Sequence, residues 1–297
     1  MSEADTSPIE HCIDVNGDTL VAFEWGREHR GATESVVLTH ATGFHARVWD
    51  DAVARLDRRH VVAVDQRGHG RSHKKPFTNW RDFGDDLVAI LRALDVGGAV
   101  GVGHSMGGHS TVLAAAAAPD LFSSLLLIDP VILPPEYYGG SEPIPGRRGA
   151  ADHPTARRRA RFASPQAMIE RFAAREPFSL FTERALSDYC TYGLLPADDG
   201  DGFVLACPPA YEASIYMSAR SNPDVYETVA RVAAPVTVVR AMEPRSAEDF
   251  GNFAFSPTWP GLAASFAHGR DVHLSDHTHF IPMQDPALTA RLIAGGR

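Results

Sequence analysis

Apolar residues come in short, nearly continuous blocks along the first half of this chain. SVVLTH (35–40), HVVAVD (60–65), AVGVGHS (99–105) and SLLLID (124–129) each read as a strand buried on both faces of a parallel sheet. Helical periodicity fills the gaps between them. A helix is expected from about Ala46 to Leu56, and another over residues 80–96, where Leu87, Ile90, Leu91 and Leu94 recur at helical spacing. A third follows AVGVGHS as MGGHSTVLAAAAAP (106–119), with Pro119 as its stop. Upstream, alternating residues flank Asn16-Gly17, a strong hairpin turn pair. The rhythm breaks after Asp129 and returns with PVTVVRA (235–241), GRDVHLS (269–275) and a terminal helix at DPALTARLIAG (285–295). Alternating strands and helices predict an α/β fold. Its core is residues 1–129 and 235–297, a mostly parallel central sheet flanked by helices. Residues 130–234 are a largely helical lid or cap insertion without clear strands.

Composition narrows the picture. The 297 residues are 44% hydrophobic and 22% charged, enough apolar material for a sizeable core. The net charge of −9 argues against nucleic acid and anionic membrane surfaces as partners. Cys12, Cys190 and Cys207 are too few and too scattered for a disulfide framework, and no paired-cysteine motif points to a metal. The polar, acidic N-terminal residues lack a secretory pattern, so a cytoplasmic location is expected. An arginine-rich run, GRRGAADHPTARRRARF (146–162), reads first as a solvated face and second as a patch for an acidic ligand.

The chemistry starts at Gly103-His104-Ser105-Met106-Gly107, a G-x-S-x-G between a strand and an alanine-rich helix. A serine in so tight a turn projects its hydroxyl, and the helix N-terminus behind it favours developing negative charge. With LTHATGFHARVW (38–49), VDQRGHGRS (64–72) and HTHFIPMQDP (277–286), the chain resembles α/β-hydrolase-fold enzymes of the serine esterase and lipase type. The resemblance covers most of residues 11–297 outside the insertion. It implies Ser105 as nucleophile and His279, between the last strand and the terminal helix, as general base, ahead of His277 and His273. It also implies an oxyanion hole from the backbone amides of Thr42 and Met106. Ala41 stands where such loops usually carry glycine, and His40 is expected to order the loop.

The third member of the constellation is less direct. The usual acid position after the seventh strand falls on Pro244, with Glu243 one residue early. The other position known in this fold, the end of the sixth strand, holds Asp129. With the usual acid missing, Asp129 is preferred over Glu243, with Asp249 and Asp276 as outsiders.

A serine nucleophile disfavours relatives that need a carboxylate in its place and points to an acyl-enzyme formed from a carboxylic ester, thioester or lactone. The alternatives are a C–C bond hydrolase or lyase of the same fold, or a non-catalytic binding protein. Phe178, Phe181, Tyr189, Tyr192, Tyr211 and Tyr216 in the insertion suit an apolar or aromatic small-molecule substrate, or else form the insertion's own small core. No metal or organic cofactor is implied.

Overall fold

In the computed structural model, which describes residues 7–138, 149–246, 249 and 252–295, the apolar blocks form one twisted sheet of eight strands. In chain order these are β1 (Ile9–Val15), β2 (Asp18–Trp25), β3 (Val36–Thr39), β4 (Val61–Asp65), β5 (Ala99–His104) and β6 (Phe122–Ile128). Three short strands follow, β7 (Arg161–Phe162), β8 (Leu194–Pro196) and β9 (Phe203–Leu205), before β10 (Val236–Arg240) and β11 (Gly269–His273) close the main sheet. The main sheet runs β1-β2-β4-β3-β5-β6-β10-β11. β1 and β2 pair antiparallel, as do β2 and β4, and every later neighbour is parallel. The β1–β2 hairpin turns at Asn16 and Gly17, both with positive φ, as the sequence pair predicts.

The order has a consequence for the site. From β3 the chain passes to β4 on one side, whereas β5 lies on the other, so the loops leaving β3 and β5 diverge from a shared crevice. Ligands bind at such switch points, at the carboxyl ends of the strands. Because β3, β5, β6, β10 and β11 are all parallel, residues 40–44, 105, 129, 241 and 279 leave the sheet at one edge.

The helices are α1 (Asp50–Val53), α2 (Arg81–Ala93), α3 (Met106–Ala117), α4 (Pro165–Phe172), α5 (Glu183–Tyr192), α6 (Pro209–Met217), α7 (Val225–Ala230), α8 (Ile281–Gln284) and α9 (Pro286–Ile293). The helix expected at 46–56 is a 3-10 turn, Ala46–Trp49, running into the single turn of α1. Its first amide donates to the Asp65 carboxylate at 2.7 Å instead of starting a regular helix. One buried cluster, with Leu87, Ile90 and Leu91 of α2 and Val112 and Ala114 of α3, covers one sheet face. The other contains Trp49, Phe44 and Phe280 and continues into Phe162, Met168, Phe181 and Tyr189 of the 130–234 segment. That segment holds α4 to α7, as its helical reading anticipates, and also a small antiparallel sheet ordered β7-β9-β8. Its strands are two or three residues long, too short for alternation to show in the sequence. No helix among the described residues is long and apolar enough to cross a membrane.

Candidate active site

Ser105 ends β5 and begins α3 in a backbone conformation, φ 58° and ψ −120°, that L-residues rarely adopt. Two contacts hold the turn: the Ser105 N–H donates to Ile128 O at 3.0 Å, and Ser105 O accepts from Val131 N–H at 3.1 Å. The flanking glycines follow from close packing. A Cβ on Gly103 would lie 2.5 Å from Gly107 O, and one on Gly107 would lie 2.4 Å from Thr39 O. Helix α3 therefore approaches β3 closely, and Thr39 Oγ1 donates to Gly107 O at 2.9 Å.

Ser105 Oγ lies 2.9 Å from His279 Nε2, and His279 Nδ1 lies 2.6 Å from Asp129 Oδ2. All three side chains are buried. Asp129 also has positive φ, 47°. Its N–H donates to Val239 O at 2.6 Å, and its Oδ1 accepts from Ala241 N–H at 3.0 Å and from Ser256 Oγ, while Thr258 Oγ1, 3.2 Å from Oδ1, donates to Pro130 O at 2.7 Å. One carboxylate oxygen is thus occupied by two donors, Ala241 N–H and the Ser256 hydroxyl, and the other is left to the imidazole. With Nδ1–H facing a carboxylate, the Nε2 lone pair faces the Ser105 hydroxyl. His104, buried beneath, donates Nε2–H to His279 O at 2.7 Å and anchors that loop. Burial and the neighbouring His279 push its pKa well below the ordinary histidine value.

The other candidates lie elsewhere. Glu243 is half-exposed and ion-paired to Arg240 at 2.6 Å; Arg240 also holds Asp271. Asp249 Oδ2 accepts the amides of Arg245 and Ser246 as a turn cap. Asp276 is exposed, next to Ser275 Oγ at 3.5 Å. His273 is an exposed residue of β11. His277 lies 3.6 Å from Asp285, and its carbonyl accepts from Met242 N–H at 2.9 Å. Among the described residues, none of these side chains hydrogen-bonds to Ser105 or His279.

Thr42 and Met106 both border the buried serine: Thr42 lines the same cavity, and Met106 is the first residue of α3. Neither backbone N–H has a hydrogen-bond partner among the described residues. The loop carrying Thr42 is fixed by the VDQRGHGRS segment, whose role beyond a tight loop the sequence does not disclose. His69 Nε2 accepts from Gly43 N–H at 2.9 Å while its Nδ1 donates to Arg67 O at 2.9 Å. His40 Nδ1 donates to Ala41 O at 2.8 Å, and its Nε2 accepts from Gln66 N–H at 3.1 Å. Gln66 Nε2 donates to His40 O at 2.6 Å. Both imidazoles must be neutral to accept. Burial favours that state, holding His40 down to about 4 and His69 well below its ordinary value.

The serine opens on a cavity of about 410 Å³. Three of the six aromatic residues expected to shape it do so: Phe178, Tyr189 and Tyr216. The others serve packing. Phe181 sits in the core cluster, Tyr192 lies 3.9 Å from the Arg47 guanidinium, and Tyr211 packs on Gly68, where a Cβ would meet its ring. Phe44, Phe172, Phe253 and Phe280 complete the apolar wall. Arg157, Arg158 and Arg159 of the arginine run line this cavity; Arg157 and Arg159 are exposed, as a solvated face would have them, and Arg158 turns inward to Glu212. Residues 146–148 of that run lie outside the described residues. Among the described residues no group of three or more His, Cys, Asp or Glu side chains is placed to hold a metal ion.

Comparison with known proteins agrees with this fold. The chain is 40% identical over 124 residues to a 2-(acetamidomethylene)succinate hydrolase of Mesorhizobium japonicum, covering 41% of this chain and 42% of that one. It is 32% identical over 130 residues to esterase Rv0045c of Mycobacterium tuberculosis, covering 41% and 40%. The chain thus spans about two-fifths of the length of these relatives. The crystal structure of an E-2-(acetamidomethylene)succinate hydrolase superposes with a TM-score of 0.73 at 26% identity, over 97% of this chain and 98% of the other. Residues 36–292 match the model of the alpha/beta hydrolase family, which takes in the sheet from β3 onward and all of Ser105, Asp129 and His279: the chain belongs to that family.

Proposed function

We propose that this protein is a serine hydrolase that cleaves a carboxylic ester, thioester or lactone through an acyl-enzyme on Ser105. The observation that carries this reading is the continuous relay from Asp129 Oδ2 through His279 to Ser105 Oγ, at 2.6 and 2.9 Å, opening on a cavity. Ser105 Oγ attacks the acyl carbon as its proton passes to His279 Nε2. Asp129 stays ionised, keeps the proton on Nδ1 and stabilises the imidazolium. The oxyanion takes the amides of Thr42 and Met106, the second at the N-terminus of α3. His279 then protonates the leaving group, and in the second half-reaction it activates water to release the acid. Residues 130–234 act as the cap whose rings hold an apolar part of the substrate.

The relative named for an acetamidomethylene succinate supports a second reading, in which the same three side chains open a C–C or other non-ester bond. Two measurements separate the readings: fluorophosphonate labelling and the pre-steady-state burst on p-nitrophenyl esters. The esterase reading expects stoichiometric labelling, lost in Ser105→Ala, together with a burst. Labelling without any ester turnover favours the second reading. Neither labelling nor turnover in folded protein overturns both.

A further inference from the structure

The wall of the cavity has a charge opposite to that of the protein. The chain carries a net charge of −9, yet among the described residues five arginines line the cavity and Glu212 is the only carboxylate there. Glu212 is buried and already engaged: Arg158 donates to its Oε2 at 2.8 Å and to Tyr189 Oη at 3.1 Å. That pair is neutral as a unit and forms part of the inner wall. Four guanidinium groups remain. Arg157 and Arg159 leave the 3-10 turn Pro154–Arg157, Arg171 lies in the last turn of α4, and Arg175 follows shortly after. Arg159 lies over the Phe162 ring at 4.9 Å and donates to Arg161 O at 2.7 Å. Arg157, Arg171 and Arg175 have no carboxylate partner among the described residues. All four are exposed, whereas Ser105, His279 and Tyr189 are buried, so the cations stand on the solvent side and the reacting groups lie deeper.

Like charges gathered from two separate segments repel one another. They gain only when an anion sits among them, and a guanidinium fork suits a carboxylate or phosphate. A cleft of one sign with apolar walls also focuses the field and raises the local concentration of small anions. The wall of the cavity that holds both the arginines and the serine includes the Phe172 and Phe178 rings, stacked 4.3 Å apart. We propose that the substrate is an anionic ester or thioester: a carboxylate or phosphate is held beneath Arg157, Arg159, Arg171 and Arg175, and an apolar span along the rings presents its carbonyl to Ser105. This rests on the acyl-enzyme reading above. The anion belongs to either the acyl group or the leaving group.

The test compares esters of matched shape. p-Nitrophenyl hydrogen glutarate places a carboxylate on the acyl chain; p-nitrophenyl 5-methylhexanoate replaces it with an isopropyl group. 4-(Hexanoyloxy)benzoate places the carboxylate on the leaving group; its methyl ester is the neutral control. At 20 mM salt, one of the anionic esters is expected to exceed its control by tenfold or more in kcat/KM. The preference should shrink severalfold at 500 mM NaCl. In the double variant Arg171→Gln/Arg175→Gln it should fall at least tenfold, chiefly through KM. A preference in the acyl arm assigns the anion to the acid product, and one in the other arm assigns it to the alcohol. Equal kcat/KM for both pairs, independent of salt, overturns the anion site while leaving the nucleophile intact. Where Ser105 labels but turns over no ester, titration calorimetry of glutarate into Ser105→Ala decides. Binding lost in the arginine variant upholds the site, and no binding at 10 mM overturns it. Failure of Ser105 to label fails the acyl-enzyme reading instead, and the calorimetry still tests the anion site.

Discussion

Replacing Asp129 by asparagine removes one charge and almost no volume, and the surroundings dictate how the new amide must sit. Oδ1 faces Ala241 N–H at 3.0 Å, a donor that cannot reverse its role, as well as the hydroxyls of Ser256 and Thr258. Turning the NH2 toward Ala241 would set donor against donor in a buried site, at a cost of about 1–3 kcal/mol. The amide oxygen therefore stays with Ala241 and the NH2 points at His279 Nδ1, where the carboxylate accepts at 2.6 Å. To accept that donor, the imidazole must move its proton to Nε2. It then offers N–H to Ser105 Oγ and has no lone pair for the serine proton. Losing the correct tautomer in such a relay costs roughly ten-thousand-fold in rate, or about 5.5 kcal/mol of barrier at 1.36 kcal/mol per decade. Glu243→Gln disturbs only a half-exposed pair with Arg240, which retains Asp271 at 2.7 and 2.9 Å. Its acylation rate should stay within about twofold of wild type. The assay is stopped-flow acylation by a p-nitrophenyl ester, alongside the fluorophosphonate labelling rate, with circular dichroism to show that both variants fold. Acylation by Asp129→Asn within about tenfold of wild type, or loss of the burst in Glu243→Gln, would refute the tautomer argument.

Three further outcomes follow from the same geometry. Ser105→Gly should abolish labelling and yet raise the melting temperature by about 2 °C, because glycine accepts φ 58° without strain worth on the order of 1 kcal/mol; a melting temperature below that of Ser105→Ala contradicts the strain. Gly107→Ala should destabilise the fold by roughly 2 kcal/mol or more in urea titrations, since its Cβ would meet Thr39 O at 2.4 Å; a shift under about 0.5 kcal/mol would mean that helix and strand can separate freely. Acid should destabilise the protein early. Burial lowers His40, His45 and His109 to about 4, so between there and 6.5 the unfolded chain binds more protons than the folded one and stability falls as pH falls. Each contributes a loss of roughly 1 kcal/mol from pH 6.5 to 5.5, so urea midpoints should drop steeply over that unit, and a flat profile would count against buried neutral imidazoles.

What the sequence makes legible here is what is coded within a few residues. The parallel strands are readable because β3 to β6 are buried on both faces, which leaves continuous apolar blocks. Ser105 is readable because its strained turn, close glycines and helix start are consecutive. The acid is only half readable: Pro244 empties the usual position, but the preference for Asp129 over Glu243 becomes geometry only when β10 brings Ala241 beside Asp129 and Arg240 draws Glu243 away. Likewise, the fixing of the Thr42 loop by His69 and Gln66 spans a gap between two loops that no local pattern contains.

The arginines mark the point where averaging misleads. A helical period says which residues share a face, not what stands opposite that face. Arg157–Arg159 and Arg171–Arg175 look like two unrelated solvated stretches until the fold sets them around one cavity. Net charge fails in the same way, since −9 spread over the surface disfavours an extended polyanion as partner. A small anion within a Debye length, about 10 Å at 0.1 M salt, feels chiefly the local wall. There the uncompensated side chains are guanidinium groups. An acidic protein can therefore present a cationic cavity, and under the anion proposal the sign that governs substrate choice is that of the cavity, not of the chain.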